Sequence, residues 1–229
     1  MNQIVTTAIV LSRLNYGEAD RIITVITPDN GKLRLMAKGV RRVKSKLAGG
    51  IELFSVSSLT FIKGKGDIGT LVSSRLQTHF SSIVTDYSRT MLGYDILKAL
   101  NKTTDDNCEG EYYHLLLLAL ATLDNREIDA ILTKCWFMIG LLKLLGHTPN
   151  LNTDVEGNNL IANKKYNFDY QNMSFHQYNN GGFGAGHIKA LRLLLQESPE
   201  RLHIIGGLNQ VLPELDDLLS SCTKNFLIA

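Results

Sequence analysis

The sequence predicts an α+β protein: a small closed β-barrel over residues 1–80, followed by an all-α region over residues 81–229. Three observations carry that expectation. Residues 1–80 hold five short runs rich in β-branched residues, separated by turn residues and without a helical period between them. From about Ser81 the apolar residues change to helical spacing. Charge divides at the same place: residues 1–80 carry 12 Lys/Arg against 5 Asp/Glu, net +7, whereas residues 81–229 carry 12 against 17, net −5. With 229 residues, 44% of them hydrophobic, the chain is long enough to bury a core in each part.

The first expected strand is Thr6–Leu14 and the second is Arg21–Thr27, RIITVIT. Pro28-Asp29-Asn30-Gly31 is a turn signal, Asn-Gly being suited to positive φ, so a hairpin follows. After it Lys32, Arg34 and Lys38 fall on one face of a strand, and Leu33, Leu35 and Ala37 on the other. Glu52–Ile62 is a longer strand, Lys63-Gly64-Lys65-Gly66-Asp67 turns the chain, and Ile68–Leu76 returns. Five strands in so short a span favour closure, because closure removes exposed edges, and an OB-type barrel is the commonest five-stranded solution.

In the second part Ile83, Tyr87, Met91, Tyr94 and Leu97-Lys98 track one helical face. Tyr112–Leu123 is Leu-dense, and Glu127–Leu145 is a long apolar helix containing the single Trp136. Residues 146–186 are polar, Asn- and Gly-rich and aperiodic. Helical spacing returns at His187–Gln196, ending before Pro199, and at Leu208–Ser221, where Pro213 is tolerable in a first turn.

No N-terminal leader pattern is present, and the longest apolar candidate for a membrane span, Cys135–Leu145, is broken by Lys143. A cytoplasmic protein is expected. Cys108, Cys135 and Cys222 are odd in number, far apart and without C-x-x-C spacing, which argues against a disulfide framework or a thiolate metal site. Cys135 lies in an apolar stretch and reads as buried and inert.

The most informative stretch is GKLRLMAKGVRRVKSK, residues 31–46, with seven Lys/Arg and no carboxylate. Like charges at that density are costly unless a polyanion relieves them, so nucleic-acid contact is expected. Lys63 and Lys65, in a separate Gly-rich turn, are expected to extend the patch, although a plain hairpin tip fits them nearly as well. Base-stacking aromatics are few: of Tyr16, Phe54 and Phe61, the last two read as barrel core, so backbone contact outweighs base reading.

No catalytic case can be made. A phosphate-binding G-x-x-x-x-G-K-[ST] is absent, and GGFGAG at 181–186 follows an Asn-rich loop instead of a strand, which suits a helix-entry loop. The six histidines lack H-x-x-x-H or H-E-x-x-H spacing.

The pattern Tyr16-Gly17-Glu18, Asp20-Arg21, Thr27-Pro28, Gly31-Lys32, Ala37-Lys38-Gly39, Arg41-Arg42 and Ser45-Lys46, ending in a Gly-rich turn and Leu71, closely resembles the N-terminal barrel of the bacterial RecO family. LLKLLGHTPNL at 141–151 and NGGFGAGHIKALRLLL at 180–195 resemble the family's helical domain. The resemblance implies a DNA repair and recombination mediator, not an enzyme. Its OB-fold binds single- and double-stranded DNA and anneals complementary strands without ATP. Its helical domain contacts RecR and the C-terminal tail of the single-strand-binding protein, helping RecA replace that protein, and such a mediator is nucleoid-associated.

Many members carry two C-x-x-C pairs within the region corresponding to residues 150–183, one just after the segment matching Pro149-Asn150-Leu151 and one before the segment matching Gly181-Gly182. Here those stretches read NTDVEG and DYQNMSFHQYNN, so a degenerate loop without zinc is expected, despite the donor types at Asp154, Glu156 and His176. The expected DNA-contacting residues are Arg21, Lys32, Arg34, Lys38, Arg41, Arg42, Lys44 and Lys46 on one side of the barrel, with Lys63 and Lys65 beside them. The acidic, apolar-ended partner tail calls for a cleft with a basic rim, for which Lys134, Lys143, Lys189 and Arg192 are candidates. An OB-fold RNA-binding adaptor would share the basic patch but prefer RNA. A metal-dependent nuclease would need clustered carboxylates, which residues 31–51 lack.

Overall fold

A computed structural model describes residues 2–64 and 66–225, and the chain forms two compact units, residues 1–124 and 125–229. In the first unit, β1 (Gln3–Tyr16), β2 (Asp20–Thr27), β3 (Gly31–Ala37), β4 (Ser55–Ile62) and β5 (Ile68–His79) close into a barrel of order β1-β2-β3-β5-β4. All neighbouring pairs are antiparallel except β3 with β5, which are parallel. This is the five-stranded Greek-key barrel of the OB type. Its interior is filled by Ala8, Val10, Ile23, Val25, Leu35, Ala37, Val40, Ile51, Leu59, Phe61 and Leu71.

Strand β1 does not alternate cleanly because both of its faces are covered along the middle. Ile9 and Ile26 oppose each other in the ladder and are fully buried, although they point away from the barrel interior. Three helices follow the barrel, α1 (Ser81–Thr85), α2 (Tyr87–Thr103) and α3 (Gly110–Asp124), with α2 packed on β1 and α3 on β2. The change from strands to helices thus falls at residues 80–81, whereas the compact units divide after Asp124.

The expected turn at Pro28–Gly31 is present and serves a second purpose. Gly31 sits at φ 62° with the Asp106 carbonyl so close that a Cβ would lie 2.5 Å from it. The backbone N–H of Lys32 donates to that same carbonyl at 3.0 Å, tying the hairpin to the α2–α3 connection.

Two expectations shift in detail. Strand β4 begins at Ser55 instead of Glu52, because Phe54 adopts φ 55° and swings its ring out of the barrel wall. That ring is buried edge-on to Tyr94, at 5.2 Å, over Gly93, where a Cβ would come within 2.7 Å of it. Phe61 lies in the barrel core as expected, but Phe54 packs against α2. The buried face of α2 is accordingly Gly93, Ile96, Leu97 and Leu100, while Tyr87, Met91 and Tyr94 are 80%, 46% and 46% exposed. Periodicity misplaced the face because a glycine carries no hydrophobic weight yet marks the closest approach.

The second unit contains α4 (Ala130–Leu144), β6 (Tyr166–Asp169), β7 (Ser174–Gln177), α5 (Ala185–Gln196), α6 (Pro199–Leu202) and α7 (Leu212–Asn225). Asp129 caps α4 by accepting from the N–H groups of Ile131 and Leu132. Pro213 falls in the first turn of α7, and Gly184, the last glycine before α5, is that helix's N-cap. The GGFGAG segment is therefore a helix entry. The aperiodic region is ordered by the β6–β7 hairpin, whose Tyr166, Phe168 and Phe175 meet edge to face, with Phe183 against Phe175. Cys135 is fully buried, and burial raises its thiol pKa far above the ordinary range.

Candidate nucleic-acid interface

The basic segment leaves β3 at Ala37 and returns to the barrel at Ser55. Its course is fixed by apolar anchors: Val40 and Ile51 are buried in the barrel end, with Leu47 packed against the same core. The hydroxyl of Ser74 donates to the Leu47 carbonyl at 2.9 Å. Consecutive turns, Arg42 N–H to the Gly39 carbonyl and Ser45 N–H to the Arg42 carbonyl, shape the stretch between.

A second set of bonds joins this loop to the β1–β2 turn. Asp20 Oδ1 accepts from the Gly39 N–H at 2.7 Å, and the Arg41 N–H donates to the Ala19 carbonyl at 2.9 Å. The Arg41 guanidinium donates to the Gly17 carbonyl at 3.3 Å. Gly39 occupies φ 66°, a conformation costly for other residues, and this turns the loop toward Asp20. The motif residues Gly17, Asp20, Gly39 and Arg41 are therefore one hydrogen-bonded corner.

The ten cations separate into groups. Lys38, Arg41, Arg42, Lys44 and Lys46 are exposed on the loop, and none is ion-paired among the described residues. Val43 stands at the crest, completely exposed. Arg21 is beside them at the hairpin, its Nε donating to Asn15 Oδ1 at 2.9 Å.

At the other end of β3 the surroundings differ. Lys32 turns its ammonium to the C-terminal end of α2, donating to the carbonyls of Asn101, at 3.1 Å, and Thr104. Arg34 lies 3.5 Å from the Asp67 carboxylate and 3.6 Å from that of Asp106. Lys63 is exposed and lines a shallow pocket with Arg34 and Asp67. Lys65 lies outside the described residues. Burial raises the pKa of the Cys108 thiol in the adjoining connection, and the neighbouring Lys32 cation opposes that rise. Seven residues of strand, roughly 20 Å, separate this screened end from the open loop.

Sequence reasoning missed Asp106. It is 72 residues from Arg34 and arrives through the α2–α3 connection, which no local charge count registers. The turn signal at Gly31 was the available clue, since its backbone makes the contact that brings the connection in.

In the second unit Lys134 is nearly buried and ion-paired with Asp216 at 2.9 Å, and Arg192 donates to the Leu151 carbonyl. Lys189 lies on a groove of about 190 Å³ formed with Ala190, Leu193, Ile205 and Val211. Lys143 is exposed near the end of α4 and does not line that groove. Asp154 accepts from the backbone N–H groups of Glu156 and Asn158, and Asp169 from those of Gln171 and Asn172. Among the described residues no three His, Cys, Asp or Glu side chains gather to hold an ion.

A closed OB-type barrel with a cationic loop at one end, continuing into a helical half, defines a barrel-and-helix α+β protein. The chain belongs to the RecO family. Residues 1–80 match the family model described as "Recombination protein O N terminal", and residues 85–227 match "Recombination protein O C terminal". It is 31% identical over 154 residues to a "DNA repair protein RecO" of Desulfatibacillum aliphaticivorans, covering 66% of this chain and 60% of that protein. It is 34% identical over 147 residues to the protein of that name from Dehalococcoides mccartyi, covering 64% and 57%. Against the Streptomyces coelicolor protein it is 37% identical over 149 residues, covering 62% and 60%. The matched stretch therefore spans less than two thirds of these relatives' length.

Proposed function

We propose that this protein is a non-catalytic DNA repair and recombination mediator, binding DNA through the backbone contacts of the loop from Lys38 to Lys46. One observation carries the reading: five exposed cations on an anchored loop, with no ion-pair partner among the described residues. Such a loop repels itself until phosphates relieve it, and counterions are released as they do. Arg41 and Arg42 offer guanidinium forks that match phosphate oxygens. Holding one strand by its backbone leaves its bases free to pair with a second, which gives annealing without ATP a physical basis. Arg21 and Lys38 flank the same surface. Lys32 and Arg34 contribute mainly to the fold and to the local field.

The family resemblance supports partners beyond DNA: RecR, the acidic tail of the single-strand-binding protein and, indirectly, RecA. For the tail the Lys189 groove offers apolar walls with a cation at the edge. A cytoplasmic, nucleoid-associated setting and the absence of a zinc requirement belong to the same proposal.

The decisive experiment is affinity for single-stranded DNA against salt concentration, with annealing of complementary oligonucleotides followed in the same samples without ATP. Arg41→Ala, Arg42→Ala together should lower the salt slope by about 1.4, at about 0.7 per phosphate contact on a single strand. An unchanged slope would remove the loop from the interface. A clear preference for RNA would favour the adaptor reading.

A further inference from the structure

We infer that Tyr16 is a base-stacking platform, taking an unpaired nucleobase of the strand whose backbone the loop holds. The inference rests on the proposed function and adds to it a source of single-strand preference.

Tyr16 ends β1, at the tip of the β1–β2 hairpin, and is 55% exposed. Of the three aromatic residues before position 80, Phe54 and Phe61 are buried at 2% and 1% exposure. Tyr16 makes no ring contact or side-chain hydrogen bond among the described residues. A large ring left to water carries an apolar cost that a ligand face can recover.

The surroundings favour a nucleic acid over an apolar protein segment. In the ladder Leu14 opposes Ile22, Ile22 opposes Met36, and Tyr16 opposes Asp20. Directly opposed residues share a face, and the alternate positions Ile23, Leu35 and Ala37 fill the barrel interior. Leu14, Tyr16, Ile22 and Met36 therefore form an outward apolar strip on β1 to β3. Along β3 the same face continues to the cation Lys38. The Arg41 guanidinium is held on the Gly17 carbonyl, one residue from the ring. The Asp20 carboxylate opposite the ring is turned to the Gly39 N–H, and an apolar platform with Lys38 and Arg41 at its border suits a ligand with flat uncharged faces on an anionic backbone. In a duplex those faces are already stacked on each other, so the platform serves single strands.

The test compares Tyr16→Ala, Tyr16→Phe and Tyr16→Trp with the wild type. Each is titrated with a single-stranded oligonucleotide carrying 2-aminopurine, and with the matching duplex, across a salt series. Tyr16→Ala should weaken single-strand binding about 5- to 150-fold and reduce the fluorescence change on binding. Duplex affinity and the salt slope should stay as in the wild type, and Phe or Trp should restore single-strand binding. Equal loss on both forms, no loss, or no rescue by Phe overturns the platform. The loop reading fails separately, through an unchanged slope in the Arg41→Ala, Arg42→Ala protein. Unfolding midpoints control for misfolding, and at an exposed position they should match the wild type.

Discussion

The Asp20 carboxylate accepts a hydrogen bond from the backbone N–H of Gly39 at 2.7 Å, the shortest of three bonds that tie the cationic loop to the β1–β2 hairpin. Asp20 is also paired across the hairpin with Tyr16, so a residue of the wrong charge for DNA organises the surface proposed to bind it. Asp20→Ala should cost about 1–2 kcal/mol, since a charge-assisted bond is lost and an N–H is left in a partly buried place. Single-strand affinity should fall as the loop loses its set. Asp20→Asn keeps an acceptor oxygen and should retain most of both. Urea unfolding beside a DNA titration reads the two effects, and equal behaviour of Ala and Asn would remove the bond from the account.

Lys32 and Lys38 share a strand face yet should respond to opposite assays. The Lys32 ammonium completes the C-terminal end of α2 through the carbonyls of Asn101 and Thr104. Lys32→Ala should therefore destabilise the first unit by about 1–3 kcal/mol and leave the DNA salt slope nearly unchanged. Lys38 is exposed at the start of the loop, and Lys38→Ala should lower the slope by about 0.7 with little effect on stability. A slope change confined to Lys32→Ala would reverse the roles.

These two lysines show how far the sequence could be read. Alternation placed Lys32, Arg34 and Lys38 on one face, and burial of Leu35 and Ala37 on the other follows it. The turn at Pro28–Gly31, the five strands and the helix entry at Gly184 were legible because each rests on short-range chemistry. The neutralisation of Arg34 by Asp67 and Asp106 was not, because it joins residues distant in sequence. The loop's anchoring was hidden for the same reason: Val40 and Ile51 look like ordinary apolar residues in a charged run until the barrel end receives them. The α2 face was misjudged at Gly93, where the closest packing leaves no hydrophobic signal.

Phe175 is fully buried between Phe168, at 5.1 Å, Phe183, at 5.9 Å, and Tyr166, at 6.3 Å. The β6–β7 region has an aromatic core of its own, and the Asp154 and Asp169 carboxylates are occupied by backbone donors. Phe175→Ala should cost about 3–5 kcal/mol, the range for emptying a buried aromatic site. A chelator such as EDTA should leave the unfolding midpoint unchanged. A midpoint that falls with EDTA and returns with zinc would overturn the expectation of a metal-independent loop.

His187 gives the second unit a defined response to acid. Its Nδ1 accepts the Gly184 N–H at 3.2 Å, the side-chain half of a capping box at the start of α5, so in the neutral ring the proton sits on Nε2. Nε2 is buried and finds no partner among the described residues. Charging the ring would put a second proton against the Gly184 N–H and a cation into a desolvated place. Burial accordingly holds the imidazole pKa below its ordinary value; Lys165 adds to that shift and Glu214 opposes it. The unfolded chain takes up this proton as pH falls below about 6.5, while the folded unit resists it. The stabilising contribution is therefore whole above about pH 6.5 and is lost as pH drops through the folded value. His187→Gln keeps an acceptor for Gly184 without a titrating group, and between pH 7.5 and 5.5 it should lose less urea resistance than the wild type. Parallel pH profiles for the two proteins would show that His187 does not titrate on unfolding, and the helix entry would then be insensitive to acid.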